Sequence, residues 1–385
     1  MNKRKSSIPY IGLLLALVLL AMSSCSDQLM ELIEDKVYFD EHGYYPFKNT
    51  VYKKAALFYG DDCRNYASAA FSDNSVLIVY QDYPSSINGG RVIIGDDGSV
   101  RRSAGVFSFD SQCESYEAIA MSDGRAAAIY HHFNDGNYYI CVFQSDGTID
   151  QHFAIYATSY HEYDTSPVLL SLPDGNLFFI GLEDTPRGIK AARISTDTWT
   201  VETPYMIVTS DDVSGIKDAL VMPDGRILLA YGAGVSGLLY RFIDPDDQSV
   251  SSAASLDDTL GAEVSSVLRL SDGRIMFFVN NEFQVWKSDM SSRIATRQFD
   301  GISTTGVSAA PTLDGGAVVV YRVFDDGSRP RYRYIDSNLD MSSAAILHQE
   351  DCYWTAASLR PDGKVLIAYS YNTSGDHRGY YLILE

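Results

Sequence analysis

The 385-residue chain predicts an all-β fold, a seven-bladed β-propeller of four-stranded antiparallel blades. Three observations carry that expectation. One phrase, an apolar run, an Asp-Gly-type turn and a second apolar run, returns seven times, with its aspartate at Asp73, Asp123, Asp174, Asp224, Asp272, Asp314 and Asp362. These aspartates lie 50, 51, 50, 48, 42 and 48 residues apart, the length of one supersecondary unit copied around a ring or along a rod. The two ends of the chain look complementary rather than capped, and only a straight array needs polar caps.

Each unit holds two hairpins. In the first, such as AIAMSDGRAAAIY or ALVMPDGRILLAY, apolar runs flank the Asp-Gly pair. Asp-Gly supports the positive φ that tight hairpin turns need. Strands this uniformly apolar are buried on both faces. The second hairpin, as in RVIIGDDGSVRRS or YYICVFQSDGTIDQHF, is more amphipathic. Apolar inner strands and mixed outer strands are the pattern of a propeller blade.

The last unit runs out at RGYYLILE, which supplies only its third strand. The segment VYKKAALFYGDDC, ahead of the first unit, aligns on MSSAAILHQEDC, the fourth strand of the sixth unit. A strand at about 51–59 is therefore expected to complete the last blade and close the ring, leaving no unpaired central edge. The propeller is expected over 50–385.

PDGKVLIAY together with QSDGTIDQHF resembles the delta-60 repeat family of bacterial β-propeller proteins, whose repeats pair a PDGKI-like turn with a later DGSLD-F-like turn. The full pair is clearest at Asp123-Gly124 and Asp146-Gly147 through Phe153, and the second half drifts elsewhere. The resemblance covers most of the chain and implies the propeller. It implies no particular chemistry.

The chain begins MNKRK, followed by an apolar segment from Ile11 to Met22 that is too short for a mature membrane-spanning helix. Ser23-Ser24-Cys25 follows. A cationic start, an apolar stretch and small residues look like a secretory signal peptide, and the cysteine after them resembles the lipobox of bacterial lipoproteins, with Met22 in place of the more usual Leu; an ordinary signal peptide or an uncleaved anchor is the bland alternative. The expected organisation is a signal peptide over 1–24, a tether over 25–49 lipidated at Cys25, and the propeller. Acyl chains would hold a soluble domain at the cell envelope, most simply the outer membrane, with no contact to the membrane beyond the anchor.

Net charge is −20, with 50 acidic against 30 basic residues. Such a chain repels phosphate backbones, which argues against nucleic acid as a partner. No P-loop and no G-x-S-x-G elbow occurs, and no cofactor is expected.

Function is expected in the loops that lead into the innermost strands, about ten residues ahead of each repeat aspartate. They read DDCRNYA, SQCESYE, YHEYDTSP, DDVSGIK, LGAEVSS, GISTTGV and EDCYWTA. Blades seven, one, two and three, contiguous around the ring, bring Tyr353, Trp354, Arg64, Tyr66, Glu114, Tyr116, Glu117, His161, Tyr163 and Asp164. Aromatic rings on a rigid scaffold suit a glycan or an envelope protein as ligand. The bland alternative is that the rings only plug the channel mouth. An enzyme is the competing class, a sialidase-like hydrolase or polysaccharide lyase, with Glu114, His161 and Asp164 as acid-base candidates. Against it, the S-x-D-x-G-x-x-W box is missing and Arg64 is the only arginine in these loops. A purely structural subunit of an envelope complex is the third class.

Cys63, Cys113 and Cys352 each stand ten residues before their aspartate, on three consecutive blades. Outside the cytoplasm such cysteines tend to pair. A bridge from Cys63 to Cys352 would staple the ring closure, Cys63 to Cys113 is the competitor, and three reduced, semi-buried thiols are the bland alternative. Cys141, in YYICVF, is expected in the core. No metal site is expected, since no histidine pair shares the spacing of a zinc site.

Overall fold

The computed structural model describes residues 47–59, 63–82, 88–106, 113–132, 135–157, 167–184, 187–209, 213–234, 237–257, 264–279, 281–298, 304–323, 328–373 and 376–385. The expected signal peptide, Cys25 and nearly all of the tether lie outside them.

Seven antiparallel sheets succeed one another along the chain, at 63–106, 113–157, 168–209, 213–257, 264–298, 304–346 and 355–384, and form the blades of a propeller. In blades one to six the strands run in chain order from the axis outwards, and in blade seven the first three do. Their innermost strands are Cys63–Ala70, Cys113–Ala120, Val168–Ser171, Val213–Val221, Val264–Arg269, Thr304–Pro311 and Thr355–Leu359. Blade three has its outermost strand broken into Thr200–Val201 and Tyr205–Thr209.

The ring closes as the sequence predicts. Strand Val51–Tyr59 pairs with Asp376–Leu384 as the outermost strand of blade seven, in a register from Val51 opposite Leu384 to Tyr59 opposite Gly379. Thr50 and Glu385 exchange backbone hydrogen bonds of 3.0 and 2.9 Å just beyond it. The chain therefore joins the propeller on the face that carries the Asp-Gly turns.

The expected disulfide staple is absent. Neither Cys113 nor Cys352 enters a disulfide, and both are fully buried, as is Cys141. Cys113 and Cys141 lie in the layer between blades one and two. The Cys352 Sγ donates to the Trp354 carbonyl at 3.4 Å, and burial pushes its pKa up to about 12, so it behaves as a small core residue. The side chain of Cys63 lies outside the described residues. Other bonds hold the seam between blades seven and one. Tyr381 donates its hydroxyl to the Gly98 carbonyl at 2.7 Å, Arg360 Nη2 donates to the Asp96 carbonyl at 2.7 Å, and the Ser68 and Ser358 hydroxyls meet at 2.5 Å.

The core sits between blades rather than at one centre. The second strands are apolar because both their faces are covered: Ala126–His132 and Ile227–Ala233 are buried along their whole length. Leu229 and Tyr231 of blade four pack with Phe178 and Ile180 of blade three, and Phe277 of blade five packs with Leu228 of blade four.

The repeat aspartate has a structural task. In blade two, Met121 donates to the Arg125 carbonyl and Gly124 donates to that of Met121, and Gly124 takes φ +88°. This is a type I turn ending in a left-handed residue, a three-residue hairpin loop. Asn74 takes the left-handed place in blade one. The Asp123 carboxylate accepts the Arg125 backbone N–H at 3.0 Å, and Asp73, Asp174, Asp224, Asp272 and Asp362 accept the equivalent bond. The aspartate thus satisfies a backbone donor that the turn leaves over.

Candidate functional site

Two places collect chemistry on the scaffold. The first is the axial channel, where the innermost strands of all seven blades enclose a polar cavity of about 340 Å³. Tyr66, Tyr116 and Glu117 reach it from blades one and two, and Lys217 and Asp218 from blade four. Tyr66 and Tyr116 are only 8% exposed. Tyr66 meets Phe58 edge-on at 5.7 Å, and the Tyr116 hydroxyl donates to the Cys113 carbonyl. They are part of the packed wall more than free stacking platforms.

Glu117 and Asp218 occupy the same position, six residues before their repeat aspartate. Each carboxylate reaches the next blade: Glu117 accepts the Leu169 N–H at 2.7 Å and Asp218 the Val267 N–H at 2.6 Å. In blade six the equivalent Ser308 accepts the Ala357 N–H at 3.0 Å. The side chain at this position is an inter-blade latch. Both carboxyls keep some surface on the channel, but protein surrounds them. Burial raises Asp218 to about 7. Burial first, and then the Asp218 charge, raise Glu117 well above the usual carboxylate range.

The second place is the seam of blades six, seven and one on the loop-bearing face. Tyr353, 39% exposed, leans on Trp354 with ring centroids 5.5 Å apart. His377 meets both rings edge-on, at 4.7 and 5.3 Å. The Arg64 guanidinium of blade one lies 5.8 Å from the Trp354 ring centre. Arg322 of blade six lies 5.5 Å from that of Tyr353 and donates to the Cys352 carbonyl at 3.3 Å. Both cation-ring distances are within the range of cation–π attraction.

The expected ligand-binding residues are thus divided. Arg64, Tyr353 and Trp354 converge at the seam, and Tyr66 and Tyr116 line the channel. The Glu114 side chain, His161, Tyr163 and Asp164 lie outside the described residues. Arg322, His377, Lys217 and Asp218 join the candidates. Asp218 was discoverable by comparing repeats, since it matches Glu117 in position. Arg322 and His377 come from other strands and carry no repeat signal. Among the described residues no cluster of three or more His, Cys, Asp or Glu side chains is arranged to hold a metal ion, and no helix is long and apolar enough to cross a membrane.

No family model matches the chain, and no curated protein matches it. Solved structures do. A streptogramin B lyase structure aligns over 85% of this chain and 97% of its own length, at 11% identity and a TM-score of 0.56. A protein of unknown function from Dyadobacter fermentans DSM 18053 aligns over 87% of this chain and 98% of its own, at 10% identity and a TM-score of 0.52. Likeness at such identity carries the fold alone: the chain is a β-propeller, an architecture that serves binding and enzymatic modules alike.

Proposed function

We propose that this propeller is an envelope-anchored binding module that takes a glycan or a protein ligand on its loop-bearing face, at the seam of blades six, seven and one. The Tyr353–Trp354 pair carries the reading: an exposed ring and a half-buried one lie between two guanidinium groups on a rigid strand framework. Aromatic and arginine side chains of this kind dominate recognition surfaces. The anchor reading rests on the order of cationic start, apolar stretch and Ser23-Ser24-Cys25. Strand Val51–Tyr59 enters the propeller on the Asp-Gly face, opposite the seam. The delta-60 resemblance adds the repeat architecture and no ligand.

Two measurements test this. Tyr353→Ala and Trp354→Ala should each weaken retention on a panel of immobilised envelope glycans and proteins about tenfold or more, as for central aromatic anchors; unchanged retention removes the site. Cys25→Ser should move the protein from the detergent phase to the aqueous phase; a variant that still partitions into detergent removes the lipid anchor.

A second reading has its own observation. Glu117 and Asp218 are two carboxyls held towards protonation inside a polar cavity, the state a general acid needs. In a carbohydrate-active enzyme they would join Glu114, His161 and Asp164 as acid-base candidates. Polysaccharide turnover that Glu117→Gln abolishes, with Tyr353→Ala still active, would favour it.

A further inference from the structure

We propose that the mouth of the ring on the Asp-Gly face is a second binding pocket, for a small carboxylate with a short apolar tail, anchored by Arg360. The argument starts from the repeat. Two residues before the turn aspartate stand Phe71, Met121, Leu172, Met222, Leu270 and Thr312, and in blade seven Arg360. All of them are buried, and Arg360 is 1% exposed. Its Nη2 donates to the Asp96 carbonyl and, at 3.0 Å, to Asp362. Nε and Nη1 have no hydrogen-bond partner among the described residues.

A buried guanidinium with unmet donors destabilises a fold. Replacing a buried charge with a well-packed apolar side chain is often neutral or stabilising. Six sister blades show that an uncharged side chain fits this place. The contact to Asp96 uses only one nitrogen, so seam closure alone leaves the other donors unexplained. Charge is also left over: Asp362, the one carboxylate bonded to Arg360 among the described residues, is shared with Lys364 Nζ at 3.0 Å. Two cations face one anion there.

Arg360 borders a cavity of about 330 Å³ whose wall is mostly apolar, with Phe71, Met121, Leu313, Leu359 and Pro361, and also carries Ser72 and Ser122. A water molecule that answered an open donor would bring no countercharge to the guanidinium. A carboxylate supplies acceptor and countercharge together once the Arg360 side chain turns its closed-off Nε and Nη1 towards the cavity, and an apolar tail suits most of the wall. The volume lies at the small end of ligand cavities, so the ligand is small. The nearby turn carboxylates Asp73 and Asp123 are engaged by Arg101 and Arg125 and do not compete for Arg360.

Octanoate is a suitable probe and 1-octanol its uncharged control, each titrated calorimetrically into the full chain. Saturable one-site binding of octanoate is expected, with octanol about tenfold weaker or more, as a charge-assisted bond predicts. Arg360→Met copies Met121 and Met222; it should lose octanoate binding about tenfold or more while melting no lower than wild type. Ala120→Phe narrows the pocket from its rim, leaves Arg360 in place and should weaken octanoate too. Octanol binding as well as octanoate overturns the proposal, as does a wild type that does not bind octanoate saturably. Equal octanoate affinity in Arg360→Met overturns it as well. Should that variant fail to fold, undiminished affinity in Ala120→Phe is decisive against it.

Discussion

The Asp-Gly turns and the wall of the axial channel use the same side-chain chemistry to opposite effect. In both, a carboxylate accepts a backbone N–H. In the turns it bonds two residues onward in its own blade, beside solvent and an arginine. In the channel it bonds the next blade, away from water. Burial would raise Asp73, Asp123 and Asp174, but the hydrogen bonds they accept outweigh it and leave each lowered. Asp224 is lowered mainly by the Arg226 side chain. Glu117 and Asp218 are raised by burial. A repeat thus sets the position of a carboxyl, and the neighbourhood decides its proton affinity.

The largest expected effect comes from opening the ring. Deleting 51–59 strips blade seven of its outermost strand and removes Phe58 from the layer between blades seven and one. The loss should be comparable to the stability of a whole domain, about 5–15 kcal/mol, seen as a chain without a cooperative melting transition. A normal melt in that variant would mean that both kinds of carboxyl contact suffice without closure.

A change of pH should separate the two kinds of carboxyl. A raised carboxyl favours the folded state below its unfolded pKa, and that contribution is lost as pH rises through the folded value, about 7 for Asp218. A lowered one contributes above its unfolded pKa and loses that contribution in acid. Stability should therefore decline from about pH 5 to pH 8 because of the channel pair. Glu117→Gln keeps an acceptor for the Leu169 N–H and removes one titration. Its decline should be shallower, measured by urea unfolding at each pH. Parallel curves for variant and wild type would show that the channel admits enough water to solvate both charges.

The scaffold was legible because a hairpin turn is a local event. Asp-Gly with flanking apolar runs names its own conformation, and the seven spacings name the blade. Closure was legible because 51–59 matches the missing fourth strand of another unit. The disulfide staple was not: equivalent positions on neighbouring blades share a height, but Cys113 and Cys352 turn into buried layers. The seam followed only in part, since Arg64 and Trp354 stand in the loops, whereas Arg322 and His377 arrive from strands elsewhere in the chain. Arg360 was visible as the one charged residue at its repeat position, but its unmet donors needed coordinates.

The left-handed turn residue isolates the conformational share of the turn. At Gly225, φ is +88° and an added Cβ would meet nothing within 4 Å. Gly225→Ala therefore tests backbone strain without crowding and should cost about 1–2 kcal/mol. Asn74, which already holds this conformation in blade one, supplies the control, since Gly225→Asn should cost less than Gly225→Ala. Equal losses would mean that the turn relaxes to another type.

The smallest expected effect on stability lies on the other face, and it is the one that ties the comparison to function. Tyr353 is among the exposed large apolar side chains, and its contacts are to a neighbouring ring, His377 and Arg322. No strand pairing depends on its side chain. Tyr353→Ala should change the unfolding free energy by about 0.5 kcal/mol or less, as surface substitutions do, and leave the urea midpoint nearly unmoved. The same variant is expected to lose ligand retention. Stability kept and binding lost would mark this ring as freed from the scaffold's work, which the uniform turns of the opposite face perform. A drop of more than about 2 kcal/mol, the size of a core truncation, would instead make Tyr353 a plug of the seam and take the aromatic pair out of the recognition surface.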